Sequence, residues 1–557
     1  MLAFAVGVLP LWLSSVEMWD GVVGMHALTT GDWTAMKGWA LDSNWYLVYG
    51  LFLLADATAQ LTGLAYWVFF KLWIVLMVAG IVWEVRRLAT DVFEVPSAFA
   101  AWLPALVFSF PVWYVFFSYT CMLGHLTCVW LALAGYRLLA RRQAALCAAG
   151  LLFTALSFQL ASNCVFVLAL ELGRWWLHRH TTGRGGGINT ARSDWSYRRS
   201  ILLLLLSVGV FAATRVVWPP AGTYAGYNQL LSPLQAASWV SYAKYAALVA
   251  TWLLLLVPVL AALCWRAARR SPEVGGVAVL SAAFRAPYKP LPVLVGLMFA
   301  AALPYIAVGV GSPLWTLHVP SASSVSAVLS GLNAQGPVGV WYGGWGARHL
   351  LVMMVPMLVL AAWLAGVRGV SQSAMAAMVA LGLAFGAGGH WAKLQRIAKE
   401  HTIVRLLASQ PPLPHGQVNL LLEPHEDYVG DFYEANDLLY RAYRSTHWAA
   451  LIMPEVPAAQ AWCETQRSLK RASSEKDRAL VASLNLMGDF TWDNPCTTTL
   501  RIKLPPLSAW DVLWRAEHAP ELLPPARATR FTDHCPDDRQ HGPNESADAM
   551  DVQKTVR

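Results

Sequence analysis

Charge is what this sequence has least of. Only 13% of its 557 residues are Asp, Glu, Lys or Arg, about half the share found in an average soluble domain. That shortfall, with 57% hydrophobic residues, 28 Trp and a mean hydropathy of +0.44, excludes a soluble globular enzyme, a disordered chain and a fibrous protein. Zinc-type spacing is absent too: the eight cysteines form no CxxC and no Cys/His pattern. The glycine-rich stretch 181–190 lacks the Lys-Ser/Thr ending of a phosphate loop and reads as a flexible linker. No long internal repeat is present, which argues against a secondary transporter.

What charge there is has a pattern. Residues 390–557 hold 19 basic and 22 acidic residues, whereas residues 1–389 hold 22 and 11. A basic excess confined to the apolar region is the mark of membrane topology, and no nucleic-acid partner is needed to explain it. A spanning helix takes about 20 apolar residues. By that measure candidate spans fall near 1–15, 64–84, 97–116, 120–139, 143–161, 163–178, 200–218, 237–264, 291–310, 349–367 and 372–389. With the N-terminus inside, 17 basic residues of this region lie on the cytoplasmic side. Five remain outside or in the outer half: Lys37, Lys71, Arg215, Lys244 and Arg348. The expected fold is therefore an all-α polytopic membrane protein of about 11 transmembrane helices, N-in and C-out, with a small extracytoplasmic α/β domain at the C-terminus. The first span has no charged n-region and is read as a retained span, not a cleaved signal peptide.

The segment Trp45–Ala55 is apolar but too short to span, and reads as an interfacial or re-entrant helix with Trp45, Tyr46 and Tyr49 at headgroup level. In the tail, 418–422 and 498–504 pattern as strands and 431–444 as a helix. Expected domain bounds are 1–389 for the membrane domain, with a first outer loop at 16–63, then 390–525 for the α/β domain and 526–557 for a disordered polar tail. Cys463 and Cys496 sit in the compartment where disulfides persist, so a bridge between them is one reading and free thiols the other.

On this topology every outer carboxylate of the membrane domain lies in the first loop: Glu17, Asp20, Asp32, Asp42 and Asp56. Glu17 and Asp20 follow the first span directly, and their i, i+3 spacing puts both on one face of a helix. A carboxylate at such a boundary can deprotonate a hydroxyl while apolar neighbours exclude water; the plainer reading is a pair of solvated topology markers.

The first span, the acidic loop with short amphipathic helices, the Trp45-Tyr-Leu-Val-Tyr49 re-entry and the closing Trp83-Glu-Val-Arg-Arg-Leu88 together resemble integral-membrane glycosyltransferases of the GT-C type. The phrase Glu17-Met-Trp-Asp-Gly21, followed by His26, Asp32 and Asn44-Trp45, is similar to bacterial inner-membrane proteins of that kind. The resemblance covers residues 1–180 well and is patchy to 390. It implies a sugar donor on a polyprenyl phosphate, a catalytic base at Glu17 or Asp20, and a multi-pass protein of the bacterial inner membrane with a periplasmic C-terminal domain. The acceptor would be a cell-envelope glycan or glycolipid, with membrane lipid around the site and no nucleic acid. The usual adjacent acidic pair is here Glu-x-x-Asp, which leaves open which residue is the base and whether a divalent metal takes part; no other cofactor is expected.

A phosphate-linked donor requires outer-side cations. Arg348, beside His349 in a Trp- and Gly-rich segment, suits a phosphate, or alternatively anchors its helix by snorkelling. Lys71 lies inside a span, where a charge is expensive. Arg215 leads into a loop carrying Tyr224, Tyr227 and Asn228, suited to holding a sugar or acceptor along with Asp32, Asp42 and Trp45. Two other functions fit the same sequence: a lipid-linked oligosaccharide polymerase or ligase, and a non-enzymatic glycolipid flippase.

Overall fold

The computed structural model describes residues 1–13, 21–116, 122–141, 143–182, 189–219, 252–270, 290–308, 351–368, 370–410, 416–423, 432–444, 448–453 and 498–531. The chain is mostly helical. It begins with a short helix α1 (Leu2–Gly7), which Pro10 turns into a 3-10 segment at Leu9–Leu13. The first loop then folds as α2 (Gly21–Thr30), α3 (Thr34–Ser43) and α4 (Tyr46–Thr62). Next come α5 (Tyr66–Asp91), α6 (Ser97–Ala100), α7 (Leu103–Phe108), α8 (Leu123–Leu139), α9 (Ala144–Ser157), α10 (Ala161–Thr182) and α11 (Asn189–Val217). The membrane-type region is completed by α12 (Val257–Arg270), α13 (Pro290–Val308), α14 (Met354–Arg368) and α15 (Gln372–Ser409).

Three of the described helices are long and apolar enough to cross a membrane: Tyr66–Asp91, Ser200–Val217 and Gln372–Ser409. The other apolar helices are shorter. Where one span is expected at 97–116, the chain instead forms α6, α7 and a 3-10 turn at Trp113–Phe116. Pro111 accounts for the second break, because it has no N–H to continue the ladder beyond Phe108. The interfacial segment expected at 45–55 is longer than its apolar run, and α4 continues to Gly63, whose φ of +69° closes the helix.

Helices α1, α7 and α15 approach one another through Gly7. A Cβ there would stand 1.8 Å from the carbonyl oxygen of Phe108, so only glycine fits. On the other side Gly7 accepts a 2.9 Å hydrogen bond from Nε2 of His390, which is buried on α15.

The C-terminal part is a mixed four-stranded sheet of order β2-β1-β3-β4, from β1 (Gly416–Glu423), β2 (Trp448–Met453), β3 (Thr498–Lys503) and β4 (Arg527–Phe531). β1 pairs parallel with β2 and β3, placing Leu420 opposite Ile452 and Leu500, while β3 pairs antiparallel with β4. Val418, Leu420 and Leu422 of β1, with Leu500 and Ile502 of β3, bury against Ile403 and Leu407 of α15 and Leu438 and Leu439 of α16 (Phe432–Tyr443). Two expected boundaries shift. α15 crosses residue 389 without a break, so a single helix joins the two parts of the chain. β4 extends past the expected limit at 525, because Thr529 and Ala528 complete the ladder of β3.

Candidate functional site

The first loop is organised around the elbow between α3 and α4. Asn44 holds φ +60°, the left-handed conformation that ends α3, and Trp45 N–H reaches back 2.9 Å to Ala40 O. The turn aims Trp45 and Tyr46 at three different elements. Trp45 stacks at 4.5 Å, tilted 32°, on the buried imidazole of His125 in α8. Gly124 makes that approach feasible, since a Cβ there would lie 2.5 Å from Val48 and 3.0 Å from Trp45. The Leu47 N–H points at Gln159 Oε1, 3.4 Å away, in the α9–α10 turn.

Tyr46 donates to Asn44 Oδ1 at 2.6 Å, and its ring meets Trp218 edge-on at 6.3 Å. Arg215, one turn earlier at the end of α11, lies over Phe211 at 5.0 Å and is close enough for its charge to act on the Tyr46 hydroxyl. Burial pushes the Tyr46 phenol above its ordinary value, and the Arg215 charge partly opposes that. Among the described residues no carboxylate pairs with Arg215. The elbow therefore combines a half-buried guanidinium with tyrosine and tryptophan edges, a combination suited to an anionic headgroup beside an apolar or sugar ring.

The carboxylates of this loop have different surroundings. Asp32 accepts the Thr34 N–H at 2.9 Å, capping the start of α3, and that hydrogen bond holds its carboxyl below the usual range. Asp56 accepts from Gln60 at 2.9 Å and Tyr66 at 3.4 Å. Asp42, two residues before the elbow's Asn44, is half-buried, and burial alone pushes its carboxyl up. It is the described loop carboxylate whose environment favours taking a proton.

Lys71 is not at the elbow. It is buried within α5, where its charge acts on His390 of α15 beside the Gly7 carbonyl. Glu17, Asp20, Tyr224, Tyr227, Asn228, Arg348 and His349 lie outside the described residues, as do Cys463 and Cys496.

Three residues from outside the first loop complete its contacts. His125 and Gln159 face the elbow from α8 and the α9–α10 turn, and Tyr440 of α16 meets His26 of α2 edge-on at 5.2 Å. A histidine within an apolar helix was the available signal for His125; nothing in the sequence pairs His26 with a residue more than 400 positions away. Among the described residues no cluster of His, Cys, Asp or Glu could hold a metal ion.

No family model matches this chain, and no curated protein matches it. Two crystal structures of ArnT from Cupriavidus metallidurans are similar to it. The form bound to undecaprenyl phosphate aligns with a TM-score of 0.38 and 15% identity, over 90% of this chain and 92% of that one. The apo form gives 0.34 and 12%, over 90% and 91%.

Proposed function

We propose that the protein is a membrane glycosyltransferase of the GT-C type, moving a sugar from a polyprenyl-phosphate donor to a cell-envelope glycan or lipid-linked acceptor at the outer face of a bacterial inner membrane. The observation that carries this reading is the contact of Tyr46 with Trp218, which brings the end of α11 and its Arg215 to the first loop, the loop that also supplies the carboxylates. In the reaction a carboxylate of the first loop takes the proton of the acceptor hydroxyl. The freed oxygen attacks the anomeric carbon from the face opposite the phosphate, and the bond from that carbon to the phosphate oxygen breaks. The polyprenyl phosphate departs with the electron pair and the sugar is inverted. Glu17 or Asp20 is the assigned base, with Asp42 next. Arg215, joined by Arg348 and His349 as the donor subsite requires, offsets the charge growing on the phosphate. Trp45, Tyr224, Tyr227, Asn228 and Asp32 are assigned to the sugar and acceptor.

The flippase alternative calls for charges that line a path through the membrane domain. The buried carboxylates described there are closed off instead. Glu84 of α5 is gripped by Arg137 of α8 at 2.9–3.0 Å, and Glu171 of α10 accepts from Tyr136 at 2.8 Å and from Arg174 at 2.6 and 2.9 Å. Both read as helix-to-helix fasteners. The test is purified protein in nanodiscs with a radiolabelled polyprenyl-phosphate sugar: transfer of label to an acceptor supports the transferase, and movement of label across the bilayer without transfer supports the flippase.

A further inference from the structure

Near the C-terminus, Pro506 and Leu507 lead into a short helix built of a π-wound turn, Asp511–Arg515, continued by Ala516–His518. Its two faces differ sharply. Val512 and Ala516 are buried, and they belong to the apolar cluster of the membrane-type helices, together with Leu394, Ile397 and Ala398 of α15. They do not belong to the sheet's own core, which begins on α15 at Ile403. The opposite face presents Trp510, Leu513 and Trp514, exposed at 57%, 46% and 46%, with Leu522 following at 60%.

The depth of this helix can be read from α15. Its apolar run ends at Gly389, and Lys393, Arg396, Lys399 and Glu400 follow on the same helix. Residues 394–398, where the short helix packs, lie about 7.5–13.5 Å beyond Gly389 along α15. The turn after the short helix is held further up, where Arg405 donates to the carbonyls of Pro520, Glu521 and Leu523. The exposed tryptophans thus stand just beyond the apolar run of α15.

We propose that this helix lies on the lipid surface of the leaflet next to the C-terminal domain, with Trp510, Leu513, Trp514 and Leu522 seated at the boundary between headgroups and acyl chains. The chemistry fits lipid better than a sugar platform. Trp510 and Trp514 stack on each other at 5.8 Å and 20°, and Trp514 on His518 at 3.9 Å and 6°. Trp514 therefore has ring neighbours in Trp510 and His518, and the column turns apolar ring surface and indole N–H outward, the combination that settles at a membrane interface. Two of the helix's charges neutralise each other, since Asp511 accepts from Arg515 at 2.8 Å as well as from the Ser508 N–H and hydroxyl at 2.8 and 2.6 Å, while Glu517 is half-buried with its charge acting on His401 of α15. This seat is independent of sugar transfer, since any chemistry on that surface would keep it.

The test uses the full-length protein in nanodiscs of phosphatidylethanolamine and phosphatidylglycerol, with p-benzoylphenylalanine replacing Leu513. Photolysis is followed by mass spectrometry of lipid adducts. Leu76, 59% exposed on α5, serves as the positive control, and Lys503, exposed on β3, as the negative. The expected result is an adduct yield at 513 comparable to that at 76 and on the order of tenfold above that at 503, as for an interfacial helix. A yield no higher than at 503, or crosslinking to a second polypeptide in place of lipid, overturns the proposal.

Discussion

The indole of Trp45 rests on the imidazole of His125, 4.5 Å away, and this contact fastens the first loop to the membrane-type helices. Beside it Gly124 leaves the space that Val48 and Trp45 occupy. Gly124→Val should force the elbow outward, costing about 1–3 kcal/mol of overpacking. We expect a lower melting temperature in detergent and a larger loss of transfer than the melting shift explains, because the displaced elbow carries Tyr46 away from Arg215.

Arg215 is expected to bind donor, since it lies against aromatic rings without a described carboxylate partner. Arg215→Lys keeps the charge but loses the two-pronged grip on phosphate. Transfer should fall by a factor on the order of 10 in Arg215→Lys and 10² in Arg215→Ala, with folding little changed. Equal activity in all three forms would remove Arg215 from the donor subsite.

Glu84 and Arg137 should behave as a structural pair. Glu84 is 5% exposed and Arg137 33%, so removing the carboxylate leaves a partly shielded guanidinium. Glu84→Gln should cost about 2 kcal/mol, less than the fully buried case because water reaches Arg137. Specific activity of the folded fraction should be unchanged. A double-mutant cycle with Arg137→Gln checks it, and additive losses would show that the two residues are not coupled.

His26 makes the contact between the first loop and the C-terminal domain sensitive to acid. Burial against Tyr440 holds its imidazole below the ordinary value of 6.5, with Asp32 partly opposing. The unfolded chain then binds more protons than the folded one below that value, so the stabilisation is complete above 6.5 and is lost as pH falls into the window beneath it. Hydrogen exchange in α2 and α16 should speed up between pH 7.5 and 5, a range chosen about one unit above and 1.5 below the histidine's ordinary value, and His26→Gln should flatten that dependence.

The elements that depend on short-range pattern were legible in the sequence. The helix expected at 431–444 spans Phe432–Tyr443, and the strands expected at 418–422 and 498–504 span Gly416–Glu423 and Thr498–Lys503. Periodicity carries that information locally. The breaks were less visible: hydropathy alone joined 97–116 across Pro111, and it ended α15 at Gly389 although His390 continues the helix and binds Gly7. The site was legible only by residue type. Trp45 and Arg215 carried their chemistry in the sequence, but their common location depends on Tyr46 meeting Trp218, 172 positions further along the chain. Long-range contacts of that kind leave no local signature, and Lys71, singled out for its charge, proved to be packed among helices instead.

The most direct measurement is transfer of radiolabel from a polyprenyl-phosphate sugar by the wild-type protein in nanodiscs, repeated with Glu17→Gln, Asp20→Asn and Asp42→Asn. The account predicts transfer by the wild type with inversion at the anomeric carbon. It also predicts a fall on the order of 10² or more in at least one of Glu17→Gln and Asp20→Asn, the scale of a lost general base. Wild-type protein that moves label across the bilayer without transferring it would contradict the account, as would full activity in all three variants.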